Sequence, residues 1–133
     1  MLNAISNALS GLTASSKKAD TAASNIANVS SGGALDSTSA RQAPYSSLET
    51  IQSATENGGG TSYTRAREPG FVPAYDPDSP FANEDGLIGV PNVSLAEEIV
   101  DMKQAEISYK ANIQTLKAAI QTSDALFDIF DDD

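Results

Sequence analysis

The sequence contains no Cys, no His and no Trp among its 133 residues, and aromatic side chains make up only 6% of it. Without Cys the chain forms no disulfide and offers no thiolate to a metal, and without His it lacks the commonest general base and metal ligand. So few aromatic residues also predict a thin core. We therefore expect neither catalysis nor a bound cofactor or metal.

Basic residues are scarce as well. Eight Lys and Arg stand against 18 Asp and Glu, which gives a net charge of −10. Binding to nucleic acid depends on clustered Lys and Arg, so nucleic acid is excluded as a partner. No apolar run approaches the roughly 18 residues of a membrane span, and no positive charge precedes the first apolar positions as it does in a secretory signal peptide. We expect no membrane insertion.

The first 30 residues carry apolar and small side chains at helical spacing. Steps of three and four residues place eight positions on one face of a helix. Small members such as Ala19 and Ala23 contribute little burial, so this helix is expected to be marginal alone. We name this face the N-terminal stripe, and it consists of Leu2, Ile5, Leu9, Leu12, Ser16, Ala19, Ala23 and Ile26.

A longer periodic segment follows at residues 94–133 and ends in an acidic tail. Ser94 and Glu97 form a capping-box signature that predicts a helix beginning at Ser94 and running to about residue 130, on the order of 55 Å. Glu106 and Lys110 have the spacing of a helical ion pair. The apolar positions again recur in steps of four and three. This C-terminal stripe consists of Leu95, Ile99, Met102, Glu106, Tyr109, Ile113, Leu116, Ile120, Ser123, Phe127 and Phe130.

The middle segment, residues 31–93, holds eight of the nine Gly and all six Pro. The cluster Glu56–Thr61 predicts a turn between strands around Tyr45–Ser53 and Ser62–Arg67. The pieces "FVPAYDP" and "GLIGVPNV" are typical of edge strands or polyproline-like segments. We predict a mainly α chain whose terminal helices pair as a coiled-coil-like hairpin around a small β-rich insert. The shorter helix would leave either Leu95 onward or Tyr109 onward in need of another chain.

Two chemical-looking motifs have ordinary explanations. The four carboxylates of Asp76–Gly86 lack the spacing of an EF-hand loop and are better interpreted as an acidic turn. Ser15 and Lys18 match the Ser-x-x-Lys pattern of penicillin-binding enzymes without its companion motifs, so an exposed helix face is the better interpretation.

The stretch "ASNIANVSSGG" at Ala23–Gly33 resembles the signature that ends the first helix of flagellar rod and hook proteins. Ala74–Leu116 resembles the proximal-rod branch of that family through five motifs in the same order, Tyr75–Pro77, Glu84–Gly86, Pro91–Val93, Glu98–Met102 and Tyr109–Asn112. Ile107 and Lys110 depart from the pattern, which usually has Arg and Gln there. The motif residues are Asn25, Asn28, Tyr75, Asp76, Pro77, Asp85, Gly86, Pro91, Asn92, Val93, Tyr109 and Asn112.

The resemblance implies a structural subunit of the bacterial flagellar basal body. Such proteins leave the cell unfolded through the flagellar type III export apparatus, without a cleaved signal, and polymerise with further copies and other rod proteins into a rod that crosses the periplasm. Asn25 and Asn28 would either bond a neighbouring subunit or lie exposed near a helix end. The residues expected to pack between subunits are Leu2, Ile5, Leu9, Leu12, Ala19, Ala23, Ile26, Leu95, Ile99, Met102, Tyr109, Ile113, Leu116, Ile120 and Phe127.

Two alternatives belong to other functional classes. A soluble coiled-coil adaptor, or a secreted type III protein with one partner, would form a complex of fixed size instead of a polymer. A hydrolase acting on the cell wall would need paired carboxylates on a rigid scaffold, and the sequence shows no such arrangement.

Overall fold

The computed structural model describes residues 2–37, 42–56 and 58–131. Two long helices stand at the ends of the chain and four short strands lie between them, so the predicted class is confirmed. Asn57 of the predicted turn and Asp132 and Asp133 of the acidic tail lie outside the described residues. The elements are α1 (Leu2–Asn28), β1 (Leu48–Ala54), β2 (Gly60–Ala66), β3 (Phe71–Tyr75), β4 (Leu87–Pro91) and α2 (Leu95–Asp131).

Local capping fixes where the helices begin and end. The hydroxyl oxygen of Ser94 accepts a bond from the backbone N–H of Glu97 at 3.5 Å, and α2 begins at the next residue, as the capping box predicts. At the end of α1, the Asn28 amide donates to the carbonyl of Ser24 at 2.8 Å. The carbonyl of Asn28 in turn accepts bonds from both the hydroxyl and the N–H of Ser31. The two bonds from Ser31 satisfy a carbonyl that the helix leaves open.

The two helices pack side by side and antiparallel. Gly11 lies against Asn112, and the Lys18 ammonium lies 3.0 Å from the Asp101 carboxylate. Nearer the end of α1, Asn25 donates to Glu98 at 2.9 Å. The residue numbers of the contacting pairs therefore fall along α2 as they rise along α1, which makes the two helices antiparallel. The predicted hairpin of helices is confirmed.

Small and polar side chains form the contact between the helices. Ala8, Ala22 and Ala105 are almost completely buried there. Small side chains let two helices approach closely, whereas the larger apolar residues of both stripes lie on neighbouring faces. The contact strips follow three-and-four spacing and comprise Ala8, Gly11, Ser15, Lys18, Ala22 and Asn25 on α1 and Glu98, Asp101, Ala105, Ser108 and Asn112 on α2.

The longer helix extends past the shorter one at its C-terminal end. Since Gly11 faces Asn112 in an antiparallel pair, Leu2 lies opposite about residue 121. We name residues 121–131 the C-terminal extension, and they continue for about 16 Å beyond the start of α1. Tyr109 still lies beside α1, so α1 reaches further along α2 than the sequence predicted, although it packs on another face of α2 than the C-terminal stripe.

The insert consists of two antiparallel hairpins. In the first, β1 pairs with β2 from Leu48 opposite Ala66 to Ala54 opposite Gly60. Gly58 and Gly59 have φ angles of +84° and +77° in the connecting turn, a conformation that glycine adopts without strain. In the second hairpin β3 pairs with β4, and Gly33 adds a bridge to Gly89 on the other edge of β4. The predicted turn and edge strands are confirmed.

The first hairpin rests on α1 through polar contacts. The Thr50 hydroxyl donates to the Thr21 hydroxyl at 2.8 Å, and Thr64 lies 3.3 Å from the same oxygen. One turn earlier, Lys17 donates to the carbonyl of Ser62 at 2.9 Å. This face of α1 is therefore occupied by the insert, and the N-terminal stripe lies away from it.

Candidate assembly surface

A buried polar cluster joins both helices to the first hairpin. The Asn25 side chain is 0% exposed and uses all its hydrogen-bonding capacity. Its amide nitrogen donates to the carbonyl of Leu48 at 2.8 Å and to Glu98 at 2.9 Å. Its oxygen accepts from the N–H of Leu48 at 2.8 Å and from the Tyr45 hydroxyl at 3.1 Å. Asn25 therefore fits neither predicted alternative, because it bonds within its own chain.

Glu98 is the buried charge of this cluster. Its carboxylate accepts from Asn25 and lies 3.3 Å from the guanidinium of Arg67, which follows β2. A buried carboxylate is costly unless it is paired and hydrogen-bonded, and both conditions are met here. The sequence singled out Glu98 within a family motif but gave no sign that Arg67, 31 residues earlier, would be its partner.

Asn112 holds the closest approach of the two helices. A side-chain carbon placed on Gly11 would lie only 2.5 to 2.7 Å from three atoms of the Asn112 amide. The amide also donates to the carbonyl of Ser108 in its own helix at 2.9 Å. The Asn112 amide therefore occupies the space that a side chain at position 11 would need, and only glycine fits there without a shift.

Most of the N-terminal stripe remains accessible although α1 is packed on two sides. Leu9 is 59% exposed, Leu2 is more exposed still, and Ala23 is also exposed. Ile5, Leu12, Ala19 and Ile26 are half-buried. The stripe therefore offers apolar area that the chain does not itself cover.

The C-terminal stripe is likewise open along its length. Tyr109 is 42% exposed and Phe127 67%, and Leu95, Ile99 and Ile120 are each about half exposed. Met102, Ile113 and Leu116 are half-buried. The side chain of Phe130 lies outside the described part of the chain. Side chains of this size are large enough to fill a contact with another helix.

The two stripes meet along one side of the helix pair. Tyr109 borders a shallow hollow of about 420 Å³ with Leu9 and Leu12, and a second of about 390 Å³ with Ala19 and Met102. We name these two adjoining hollows the lateral groove. It has an apolar floor, and Lys17, which also bonds Ser62 of β2, lines its edge nearest the first hairpin. Residues from both ends of the sequence therefore contribute to one apolar surface.

Glu106 forms a charged cluster on the rim of this groove. It accepts from Lys110 at 2.7 Å, which confirms the predicted ion pair, and from Lys103 at 3.0 Å. The hydrogen bond from Lys110, with that from Lys103, lowers the pKa of Glu106 to about 2. The carboxylate therefore stays charged within the stripe at all ordinary pH values.

Two family motifs meet in the loop that connects β3 to β4. The N–H of Asp76 donates to the carbonyl of Gly86 at 2.9 Å, which joins Tyr75–Pro77 to Glu84–Gly86. Gly86 has a φ of +75°, and a side-chain carbon there would lie 2.9 Å from the Tyr75 ring. The Asn83 carboxamide oxygen accepts from the N–H groups of Asp85 and Leu87, so this segment is a structured turn, as predicted.

The Pro91–Val93 motif leads from the second hairpin into α2. The Asn92 amide donates to the carbonyl of Pro69 at 3.0 Å, and the Asn92 N–H donates to that of Gly70 at 3.0 Å. Pro91 is buried, and the N–H of Val93 donates back to its carbonyl. This motif therefore fixes the direction in which α2 leaves the insert.

Across the described ranges, no three acidic side chains are grouped as a metal ion would need, and no helix there has the length and apolarity to cross a membrane. Exposed apolar positions outside the predicted stripes do occur. Val100 and Ile107 lie on another face of α2, and Ile107 is 67% exposed. Their spacing of seven residues was the available signal, but two positions are too few to define a stripe.

The comparisons with known proteins agree over nearly the whole chain. Residues 5–34 match the family model for flagella basal body rod protein, and residues 85–129 match that for the C-terminal region of flagellar basal body rod FlgEFG protein. Flagellar basal-body rod protein FlgC of Aquifex aeolicus is 32% identical over 134 residues, covering 96% of each chain. The chain belongs to the FlgC family of flagellar basal-body rod proteins.

Other FlgC relatives give the same result. FlgC of Salmonella typhimurium is 33% identical over 118 residues, 87% of each chain. FlgC of Bacillus subtilis is 30% identical over 132 residues, 82% of this chain and 84% of that protein. Membership makes the chain a structural subunit of the proximal rod without catalytic activity, which confirms the resemblance. The hydrolase alternative is wrong.

Proposed function

We propose that the chain polymerises through the apolar side of its helix pair, so that neighbouring subunits bury both stripes in the wall of the rod. Residues 1–30 and 94–133 form the assembly core, and residues 31–93 form an insert. The observation that carries this proposal is that the helices pair through Ala, Gly and Ser while the larger apolar side chains stay exposed. Torque then passes between subunits through many side-chain contacts.

The energetics favour repeated contacts over a single one. Covering a half-exposed Leu, Ile, Phe or Tyr side chain contributes about 1 kcal/mol. Five such positions, Leu9, Ile99, Tyr109, Ile120 and Phe127, together contribute about 5 kcal/mol by the same measure. Association of two proteins costs roughly 4–15 kcal/mol in lost freedom of motion. One contact is therefore weak, whereas a lattice in which each subunit makes several is stable.

Family membership implies assembly with other rod proteins, and we propose that further copies of this chain are partners as well. We further propose that the chain leaves the cell unfolded through the flagellar type III export apparatus and acts in the rod that crosses the periplasm. The thin apolar core supports this route, because a helix pair held by Ala8, Ala22 and Ala105 has little burial to lose when it unfolds. Assembly would then restore stability through the stripes.

The substitution Ile113→Asp tests the assembly surface. The variant is expressed in place of the natural chain. The matched control is Gln114→Asp, which places the same charge at an exposed position off the stripe. Ile113→Asp should still be exported but should be absent from purified basal bodies, and the cells should not swim. Normal motility with Ile113→Asp, or equal loss with Gln114→Asp, would show that the stripe is not the assembly surface.

A further inference from the structure

We propose that an extended segment of a different rod protein adds as a third strand to the outer edge of β1, in a cleft between β1 and α2. No described stripe residue lines this cleft. Its occupant is therefore independent of the proposed assembly through the stripes and requires only the assembly with other rod proteins that family membership implies.

Leu48 shows which backbone groups of β1 face outward. Its N–H and its carbonyl both bond the Asn25 amide instead of β2. Because backbone groups alternate in direction along a strand, those of Thr50 and Gln52 face the same edge as those of Leu48. No described residue bonds the outward N–H and carbonyl groups of Thr50 and Gln52. Asn25 thus occupies one end of an edge whose remainder is open to a strand.

The open edge borders a polar cleft. The floor of the cleft is α1, and its two sides are β1 and α2. It consists of two adjoining hollows of about 340 and 280 Å³, both lined by Lys18 and Gln52. We name it the β1 cleft, and its lining includes Lys18, Thr21, Thr50, Gln52, Asp101 and Gln104.

The charged side chains around the β1 cleft are already paired within the chain. The pairs are Lys18 with Asp101 at 3.0 Å, Arg67 with Glu98 at 3.3 Å and Glu49 with Arg65 at 2.7 Å. A charged side chain entering the cleft would lose water without gaining a free partner. What the cleft does offer is backbone N–H and carbonyl groups, so its ligand is an uncharged polypeptide in extended conformation.

The length of the open edge suits a short strand. Asn25 ends it at Leu48, and β1 ends at Ala54. The five residues from Thr50 to Ala54 span about 16 Å, close to the usual length of a strand. Each outward-facing residue can exchange two hydrogen bonds with the added segment.

The strands of a second copy do not fit this place. Each of the four described strands is one half of a hairpin. Because α2 closes the far side of the β1 cleft, a strand entering from a second copy would bring its own hairpin partner into the space of α2. The edge of β3 is also blunted by Pro73, which has no N–H to donate. The occupant is therefore a lone extended segment of another rod protein.

Hydrogen exchange at single residues compares the free natural chain with purified basal bodies. The N–H groups of Gln52 and Thr64 face the two outer edges of the first hairpin, and no described residue accepts from them. Both should exchange fast in the free chain. In the rod, exchange at Gln52 should slow at least tenfold while Thr64 stays fast. Fast exchange at Gln52 in the rod, or equal slowing at both residues, would overturn the proposal.

Two proline variants test the same edge by incorporation into the rod. Gln52 and Ser62 lie directly opposite each other, and proline at either position removes an outward N–H without breaking a bond between β1 and β2. Both variants should retain the helical circular dichroism of the natural chain. Gln52→Pro should enter basal bodies at least tenfold less than Ser62→Pro, because only its ring blocks a strand in the cleft. Equal incorporation would overturn the proposal. If Gln52→Pro does not fold, the exchange comparison in the natural chain decides.

Cross-linking identifies the occupant. Gln104→Cys places the only thiol of this chain at the β1 cleft, where a short photoreactive maleimide is attached in purified basal bodies. Ile107→Cys, exposed on another face of α2, is the control. Gln104→Cys should cross-link to an uncharged segment of a different rod protein, and Ile107→Cys should not give that product. A product with a second copy alone, or the same product from both variants, would overturn the proposal. Neither result bears on the stripes, which Ile113→Asp tests separately.

Discussion

The side-chain amide of Asn25 pairs with both backbone groups of Leu48, at 2.8 Å for each bond. Asn25 thus takes the place of a neighbouring strand at the outer edge of β1, where backbone groups would otherwise lack a partner. Its second N–H reaches Glu98 on α2. One buried side chain therefore connects α1, α2 and the first hairpin.

Replacing this connection should destabilise the whole fold. Asn25→Ala leaves the Leu48 N–H and carbonyl and one Glu98 bond unsatisfied, so we expect the free energy of unfolding to fall by about 2–4 kcal/mol. Urea unfolding followed by circular dichroism measures the change. Asn28→Ala is the control, because Asn28 donates only to Ser24, and its cost should be about 1 kcal/mol or less. Equal effects of the two substitutions would contradict this role for Asn25.

The fit between Gly11 and Asn112 predicts a rescue. Gly11→Ala gains about 1 kcal/mol of helix propensity but forces the new methyl against the Asn112 amide, an overlap that costs roughly 1–3 kcal/mol. We expect Gly11→Ala to be less stable than the natural chain, and Asn112→Ala to remove that loss. A double-mutant cycle in urea gives the coupling energy. Purely additive effects would mean that Asn112 simply moves aside.

The lowered pKa of Glu106 predicts a pH dependence with a definite sign. A carboxyl whose pKa falls from 4.5 to about 2 on folding stabilises the folded state above pH 4.5, and this contribution disappears as the pH falls from 4.5 to 2. NMR titration of the side-chain carboxyl carbon should give a midpoint near 2, and Lys110→Met should raise it because the main hydrogen bond is lost. Lys117→Met, a control on the same helix, should not. A midpoint near 4.5 in the natural chain would show that the cluster is absent in solution.

Features that depend on residues close together in the sequence could be predicted. Ser94 and Glu97 located the start of α2, and the glycines after Glu56 located the turn between β1 and β2. Three-and-four spacing identified both stripes, because large apolar residues give a strong periodic signal. Each of these features involves residues of a single segment, so that segment alone was enough to predict it.

Contacts between distant residues could not be predicted in this way. The strips that hold α1 against α2 consist of Ala, Gly, Ser, Asn and charged residues, which give no apolar periodicity. Asn25 bonds Glu98 at a separation of 73 residues, and nothing in either local sequence points to the other. Arg67 likewise lies 31 residues from Glu98, and nothing in its local sequence identifies it as the partner of that buried carboxylate.

The most direct measurement is the reactivity of Leu9→Cys toward a maleimide label, in the free chain and in purified basal bodies. Leu9 is 59% exposed in the single chain, and the natural sequence has no other thiol to react. If neighbouring subunits bury the stripes, labelling should be fast in the free chain and at least tenfold slower in the assembled rod. Equally fast labelling in both would contradict assembly through this surface.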